Sequence, residues 1–325
     1  MNRRDAVMTL AAAGLTVMAG IPRAQSRMVH IGVLGNLEKE ASPTFPFTVK
    51  RLAELGYVEG KNTIIDYRTS RGNSERVPAL ARELLKRNVD LIIVMGPLLP
   101  VRALLAEKTT LPIVFCAIDY EPLEAGIVAS YHRPGANVTG AYIAQPALAV
   151  KRLELARELM PGLKRLLVCY DAFCSDQLTA VEQAAAREAV QVEAVEFKAP
   201  PYDYAAAFAQ GRRSGAQAFV GLMSPIFFQD SARMSVLAVS QRLPAVGASN
   251  AFAQAGFLAS YGASLEKIAA RAGEIAARIL RGAKPAETPV EQINEFEFAV
   301  NLKTAKALGM KVPQAILLRA DKVIE

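Results

Sequence analysis

The sequence has few of the residues, and none of the short motifs, on which common catalytic and metal sites depend. Two histidines occur in 325 residues. His30 begins a predicted strand and His132 lies in a predicted turn. The chain has no G-x-S-x-G, H-E-x-x-H, C-x-x-C, G-x-G-x-x-G or G-x-x-x-x-G-K-[ST] motif. We therefore predict a protein that is not an enzyme, with no catalytic residues, no metal ion and no cofactor.

A nucleic-acid groove is also missing. The formal net charge is +7, but lysines and arginines are spread along the chain. No basic run is interleaved with aromatic residues, as a nucleic-acid surface would require. We expect no nucleic-acid partner.

Cysteine is scarce. Cys116 falls in a predicted strand and is expected to be a small buried hydrophobe. Cys169 and Cys174 are close enough in sequence to pair in an oxidising compartment, but spacing alone does not decide whether they do.

The N-terminus resembles an export signal. Arg3-Arg4 precede an almost uncharged run, Ala6–Ile21, and Ala24-Gln25-Ser26 offers small residues for cleavage. We predict that residues 1–26 are a signal peptide and that the mature protein is periplasmic. A retained anchor is the alternative, disfavoured because the apolar run is short for a membrane span. The arginine pair leaves both the general secretory and the twin-arginine route open. After residue 26 no apolar run reaches membrane length.

Apolar runs of strand length alternate with helix-length segments of 3.6-residue periodicity. The run Leu91–Met95 is apolar throughout, as in a parallel sheet that is covered on both faces. The pattern βαβαβαβ predicts a doubly wound sheet. Its predicted strands are His30–Gly35, Thr63–Arg68, Leu91–Met95 and Pro112–Ala117, and its helices are Phe45–Leu55, Glu75–Arg87 and Val101–Lys108.

The second half repeats this pattern at a near-constant offset. Its matching strands are Arg165–Tyr170, Gln191–Lys198, Ala218–Met223 and Leu243–Val246. We predict an α/β fold of two Rossmann-like lobes, with extra C-terminal elements that cross back to the first lobe and return. The predicted lobe one is 27–141 plus 260–286, and lobe two is 142–259 plus 287–325.

Ligands of parallel α/β sheets lie at the carboxyl ends of the strands. Aromatic residues there could form the wall of a site, carboxylates could bind an ammonium group, and hydroxyls, amides and helix N-termini could bind a carboxylate. The alternatives are packing under a loop for an aromatic residue and a cap or turn for an acid. One ring of Phe227-Phe228 is expected to point into the core. The predicted ligand-binding residues are Asn36, Gly96, Pro97, Leu98, Asp119, Tyr120, Glu121, Tyr142, Asp171, Phe173, Ser224, Phe227, Ser249 and Asn250.

Several longer segments resemble a known family, that of ABC transporter substrate-binding proteins of the tryptophan/tyrosine type. The matching segments are 56–62 (GYVEGKN) with 64–68 (IIDYR), 133–140 (RPGANVTG), 151–155 (KRLEL), 301–309 (NLKTAKALG) and 317–321 (LLRAD). The chain departs from the family pattern at 96–98, 120–126 and 224–225, where relatives often carry GTP, GDPV.AG and DP.

The resemblance implies a type I periplasmic-binding-protein fold, with two lobes joined by a three-crossover hinge. It also implies a small-molecule ligand and the permease and ATPase of an importer as partners. We expect a monomer that closes on an aromatic or other amino acid, or on a small organic acid. A periplasmic ligand-sensing subunit uses the same cleft and stays an alternative, as does a secreted α/β enzyme. A transcription regulator would need a DNA-binding helix pair where this chain has its export signal.

Overall fold

The computed structural model describes residues 28–325, in which two α/β lobes each surround one mainly parallel sheet. The predicted signal peptide, 1–26, lies outside the described residues. The predicted fold class is confirmed, with two doubly wound lobes and three crossings between them.

Lobe one contains five parallel strands in the order β2-β1-β3-β4-β5. The reversal of strand order between β1 and β3 opens a crevice at their carboxyl ends, where ligands of such sheets bind. The strands are β1 Val29–Gly35, β2 Thr63–Thr69, β3 Leu91–Met95, β4 Ile113–Ala117 and β5 Val138–Tyr142, and the helices are α1 Phe45–Glu54, α2 Val77–Leu85 and α3 Leu98–Ala106.

Lobe two repeats the order as β7-β6-β8-β9-β10. Its strands are β6 Arg165–Tyr170, β7 Gln191–Glu196, β8 Ala218–Gly221, β9 Ala245–Gly247 and β10 Ala259–Ala263. Its helices are α4 Gln145–Leu159, α5 Ser175–Arg187, α6 Tyr204–Arg213, α7 Pro225–Gln229, α8 Ser231–Ser240 and α9 Asn250–Gln254. The strand at 259–263 is therefore the fifth strand of this sheet, the counterpart of β5, and not an addition after a completed lobe.

The C-terminal elements make the second and third crossings. They are α10 Leu265–Leu280, β11 Glu291–Gln292, β12 Phe296–Asn301, α11 Leu302–Leu308, α12 Gln314–Leu317 and β13 Lys322–Ile324. Helix α10 packs on α1 in lobe one, and β11 pairs with β5. The chain then returns, because β12 pairs with β10.

These pairings differ from the predicted division at two places. The prediction assigned 260–286 to lobe one, whereas β10 pairs with β9 and β12 in the second sheet. It assigned 287–325 to lobe two, whereas β11 extends the first sheet. β10 is the fifth strand of the second sheet and β11 is the sixth strand of the first, so each crossing comes after a strand is complete.

The core of lobe one follows the two-residue period of its strands. Ile31, Val33 and Ile93 pack on one face of the sheet, and Leu34 and Val94 pack on the other. Helices cover both faces, so a strand such as β3 must be apolar at every position. Lobe two has one continuous core cluster of its own.

Two glycines fix the approach to the first crossing. Gly135 has φ +82°, in the left-handed region that favours glycine. A Cβ on Gly140, in β5, would lie 2.2 Å from the carbonyl oxygen of Phe115 in β4. Segment 133–140 therefore has a structural role, since β4 and β5 could not approach this closely with a larger residue.

Cys116, Cys169 and Cys174 are all buried free thiols. Within 28–325, no helix combines the length and apolar character needed to cross a bilayer.

Candidate functional site

The carboxyl ends of strands from both sheets enclose one cavity, which we call the central pocket. Asn36 follows β1, Gly96 follows β3, and Met223 and Pro225 approach from lobe two beyond β8. The space among these atoms is about 510 Å³, a volume that includes open solvent at its mouth. Its lining residues are Asn36, Leu37, Ser42, Pro43, Thr44, Tyr67, Met95, Gly96, Ile118, Asp119, Met223, Pro225, Phe228 and Leu265.

The walls of the central pocket are mainly apolar. Tyr67, Met95 and Phe228 contribute large side chains, and Tyr67 is held in place because its hydroxyl donates to the carbonyl oxygen of Leu37 at 2.9 Å. Burial raises the pKa of Tyr67 to about 12. The phenol is therefore a neutral hydrogen-bonding group at physiological pH. Walls formed by Tyr67, Met95 and Phe228 suit a ligand with an apolar or aromatic part.

Asp119 is the charged residue of the central pocket. Its side chain is 8% exposed, and neither carboxylate oxygen has a hydrogen-bond partner among the described residues. Burial raises the pKa of Asp119 to about 7; the residue's own backbone N–H opposes this shift, and the charges of Asp171 and Asp176 add to it. A buried carboxylate without a partner is costly. The arrangement is therefore suited to accept hydrogen bonds from a cation that enters the cleft.

A second space, which we call the acidic chamber, adjoins the central pocket through Asp119. It measures about 710 Å³, a volume that includes open solvent at its mouth, and both lobes line it. Tyr120 is 8% exposed, and its hydroxyl has no partner in the described chain. The lining residues are Pro97, Leu98, Asp119, Tyr120, Glu121, Glu124, Ala125, Ala172, Phe173, Ser175 and Asp176.

Asp171 is buried like Asp119, but its oxygens already accept hydrogen bonds. The hydroxyls of Ser224 and Tyr202 donate to Oδ2, the latter at 3.2 Å. The backbone N–H of Phe173 donates to Oδ1 at 2.9 Å. Asp171 therefore orders the loop that carries Phe173 into the acidic chamber, and its carboxylate is not free for a ligand.

The predicted site residues fall into two groups. Asn36, Gly96, Pro97, Leu98, Asp119, Tyr120, Glu121 and Phe173 line the central pocket or the acidic chamber. Tyr142, Asp171, Ser224, Phe227, Ser249 and Asn250 lie outside both.

The residues outside the two spaces have other contacts. Phe227 is fully buried and packs against Phe197 and Tyr204, and its neighbour Phe228 lines the central pocket in its place. Tyr142 stacks on Tyr131 with ring centroids 5.0 Å apart.

Tyr142 also belongs to the hinge. Its hydroxyl donates to Oε1 of Gln292 in β11 at 3.1 Å. Asn250 donates to Glu297 of β12 at 3.1 Å. The Oγ atom of Ser249 has no partner within the described part of the chain.

The prediction missed several parts of the site, including Tyr67 and Met95 in the central pocket and Glu124 in the acidic chamber. Ser42, Pro43 and Thr44 lie in the loop before α1, several residues beyond the end of β1. Asp176 lies in the first turn of α5, where the strand-end rule after β6 would have found it.

Metal binding is not indicated by the described side chains. Among residues 28–325, no three or more His, Cys, Asp or Glu side chains converge in a way that could hold a metal ion.

Comparison with known proteins identifies the family. The family model described as "ABC transporter substrate binding protein" matches residues 47–324. The chain belongs to the ABC transporter substrate-binding protein family. Proteins of this family bind a substrate rather than convert it. They act outside the cytoplasm, together with an ABC permease and an ATPase.

Three relatives illustrate the similarity. The tyrosine-binding protein of Clostridioides difficile (strain R20291) is 25% identical over 276 residues, which are 81% of this chain and 75% of the relative. A conserved domain protein from Vibrio cholerae O1 biovar El Tor strain N16961 has a TM-score of 0.83 and 26% identity, over 91% of this chain and 100% of that one. The ABC domain from Streptococcus pneumoniae, solved in complex with L-Trp, has a TM-score of 0.79 and 25% identity, over 91% and 99%.

Proposed function

We propose that this substrate-binding protein captures a small organic molecule with an ammonium group, of the amino-acid type, and that Asp119 binds that ammonium. The supporting observation is the pair of unpartnered carboxylate oxygens of Asp119, buried between the lobes. A relative is named for binding tyrosine, and another was solved with L-Trp. The apolar walls of the central pocket suit the side chain of such a ligand.

Closure of the lobes is the proposed capture step. Pro225 and Phe228 of lobe two share the central pocket with Asn36 and Asp119 of lobe one. A ligand that contacts both lobes favours the closed arrangement by the difference between its affinities for the closed and open states. The permease can then recognise the closed form.

Export belongs to the same proposal. We infer that residues 1–26 are removed as a signal peptide and that the mature chain acts as a monomer in the periplasm. Mass spectrometry of the exported protein tests the cleavage site, and light scattering tests the monomer. Export abolished by Arg3→Lys/Arg4→Lys would favour the twin-arginine route over the general secretory route.

The central test is calorimetric titration of the mature protein, 27–325, with a panel of L-amino acids that includes L-tyrosine and L-tryptophan. We expect at least one to bind, and Asp119→Asn to weaken it by about 2–5 kcal/mol, as when one partner of a buried charge pair is removed. Glu182→Gln, on the exposed face of α5, is the control and should bind normally. Unchanged affinity in Asp119→Asn would contradict the role of Asp119, and a panel without any binder would contradict the proposed ligand class.

A further inference from the structure

The acidic chamber is lined by acids that come from two directions. Asp119, Glu121 and Glu124 belong to the loop after β4 in lobe one, and Asp176 belongs to α5 in lobe two. No Lys, Arg or His is among the residues that define the chamber. None of the four acids forms an ion pair within 4.0 Å in the part of the chain that the structure describes. This is unexpected in a protein whose formal net charge is +7.

The four acids are close enough to repel one another. After burial, which is the largest cause, the charge of Asp176 raises the pKa of Asp119 from the opposite lobe. The charge of Glu124 likewise raises the pKa of Asp176 and of Glu121. Bringing the lobes together thus moves like charges towards each other, and this opposes closure unless a cation lies between them.

Two deeply buried polar groups, the Asp119 carboxylate and the Tyr120 hydroxyl, distinguish the chamber from an ordinary acidic surface. Asp119 and Tyr120 are each 8% exposed, and the polar atoms of both side chains lack partners within 28–325. Buried polar groups are normally hydrogen-bonded, so these atoms indicate a ligand that supplies donors. Burial keeps the pKa of the Tyr120 phenol well above its usual range, so the hydroxyl stays protonated and can both donate a hydrogen bond and accept one.

An organic cation fits this lining better than a metal ion. The carboxylates are distributed around the chamber, and the described residues contain no convergent set of three or more metal-ligating side chains. A guanidinium or alkylammonium group distributes its donors over a larger volume, and it can also lie against an aromatic ring such as that of Phe173.

We propose that the ligand is an organic amine with net positive charge, one positive group at Asp119 and a second in the acidic chamber among Glu124 and Asp176. This inference rests on the proposed function, because the chamber adjoins the central pocket through Asp119. The second positive group would lie between carboxylates of opposite lobes, so it would turn their repulsion into attraction on closure. Substrate charge and lobe closure are then coupled.

The test compares cations with neutral molecules of nearly the same shape. The mature protein is titrated calorimetrically at pH 8 with L-arginine and L-lysine, and with their neutral analogues L-citrulline and L-norleucine. Agmatine and putrescine test whether a ligand carboxylate is needed. Glu124 and Asp176 are exposed in this structure, where an ion pair contributes only modestly to affinity. At least one cation should therefore bind about threefold or more tightly than its neutral analogue. That preference should shrink as salt is raised from low to physiological ionic strength.

The variant Glu124→Gln/Asp176→Asn isolates the chamber. It should reduce the ratio of cation to neutral-analogue affinity to nearly one. The control Glu75→Gln/Glu182→Gln changes the net charge equally at exposed positions and should keep the wild-type ratio. Thermal melting of both variants establishes that they are folded.

The outcomes separate this inference from the proposed function. If neutral amino acids bind as tightly as the cations, or if the double variant keeps the preference, the inference is overturned. In that case loss of L-tyrosine or L-citrulline binding in Asp119→Asn would still support the proposed function. If no amine in either panel binds, both are overturned.

Discussion

Replacing Asp119 with asparagine should stabilise the ligand-free protein, although it removes the proposed ligand contact. The carboxylate is buried without a hydrogen-bond partner among residues 28–325, and its pKa is about 7 in the folded protein against an ordinary value of 3.8. The native state therefore binds this proton more readily than the unfolded state between about pH 4 and pH 7. Because the unfolded state holds fewer protons in that window, the free energy of unfolding falls as the pH rises through it.

The size of the effect follows from the difference in pKa. About three pKa units at 1.36 kcal/mol each give an upper value of about 4 kcal/mol at pH 8. At pH 5 the native carboxyl is mostly protonated, and the difference falls to about 2 kcal/mol. Asparagine has nearly the same shape and stays neutral, so it behaves like the protonated acid at every pH. The stability advantage of Asp119→Asn should therefore grow steadily from pH 5 to pH 8.

Urea denaturation of wild type and variant at pH 5, 6, 7 and 8 measures this difference. Contributions from titrating groups that do not interact with Asp119 cancel when the two proteins are compared. Glu182→Gln, at an exposed position, should show a small difference that does not vary with pH. An advantage of Asp119→Asn that is independent of pH, or a destabilisation at pH 8, would mean that the native carboxylate is hydrated or paired. The ionised carboxylate would then not destabilise the folded protein, and it would not be available to a ligand.

Two further substitutions test other parts of the structure. Gly140→Ala should destabilise the protein by about 3 kcal/mol or more, because the new Cβ would lie 2.2 Å from the carbonyl oxygen of Phe115. Gly32→Ala in the same sheet meets its nearest atoms at 3.4 Å and should cost far less in the same denaturation experiment. Asp171→Ala should lower stability by about 2–4 kcal/mol, because it leaves two buried hydroxyls without an acceptor. Asp171→Ala should weaken ligand binding less than Asp119→Asn does. If titration instead showed a larger loss of affinity in Asp171→Ala, and denaturation showed little loss of stability, Asp171 would be the residue that accepts hydrogen bonds from the ligand.

Sequence periodicity was enough to predict the strands and the repeated lobe, because a parallel sheet covered on both faces demands apolar residues at every position, as in Leu91–Met95. Sequence periodicity could not predict where the chain crosses between the two lobes. A short strand such as β11, Glu291–Gln292, has no periodic signal, and its sheet is determined by pairing with β5 far away in the sequence.

The candidate site was predictable at the level of loops but not of side chains. Strand ends nominated the loop with Phe227 and Phe228, yet one ring packs in the core and the other lines the central pocket. Asp119 and Asp171 each follow the end of a buried strand, β4 and β6, and look alike in sequence. They differ because the hydroxyls of Ser224 and Tyr202 occupy Asp171, and that depends on contacts across lobe two.

Residues of the family motifs maintain the fold, whereas the residues that line the cleft contact the proposed ligand. Asn62 receives a hydrogen bond from the backbone of Val58 and donates one to Gly56, so it holds the turn of GYVEGKN together. Asn137, in RPGANVTG, donates to two backbone carbonyl oxygens. Asp321 of LLRAD accepts from the backbone of Phe298. These motif residues bind backbone atoms of the chain itself, so they preserve the fold whatever the ligand is.

The departures from the family pattern lie elsewhere. Segment 96–98 and segment 120–126 supply residues of the acidic chamber. In segment 224–225, Pro225 lines the central pocket and Ser224 donates a hydrogen bond to Asp171. Similarity over most of the chain therefore carries information about the fold and the mode of capture. Of the three acids to which we assign the charge preference, only Glu124 lies in a departing segment, and Asp119 and Asp176 line the same chamber. Under the proposal, a neutral amino acid such as L-tyrosine would pair with Asp119 but leave Glu124 and Asp176 uncompensated, whereas an amine with a second positive group would neutralise these two acids as well.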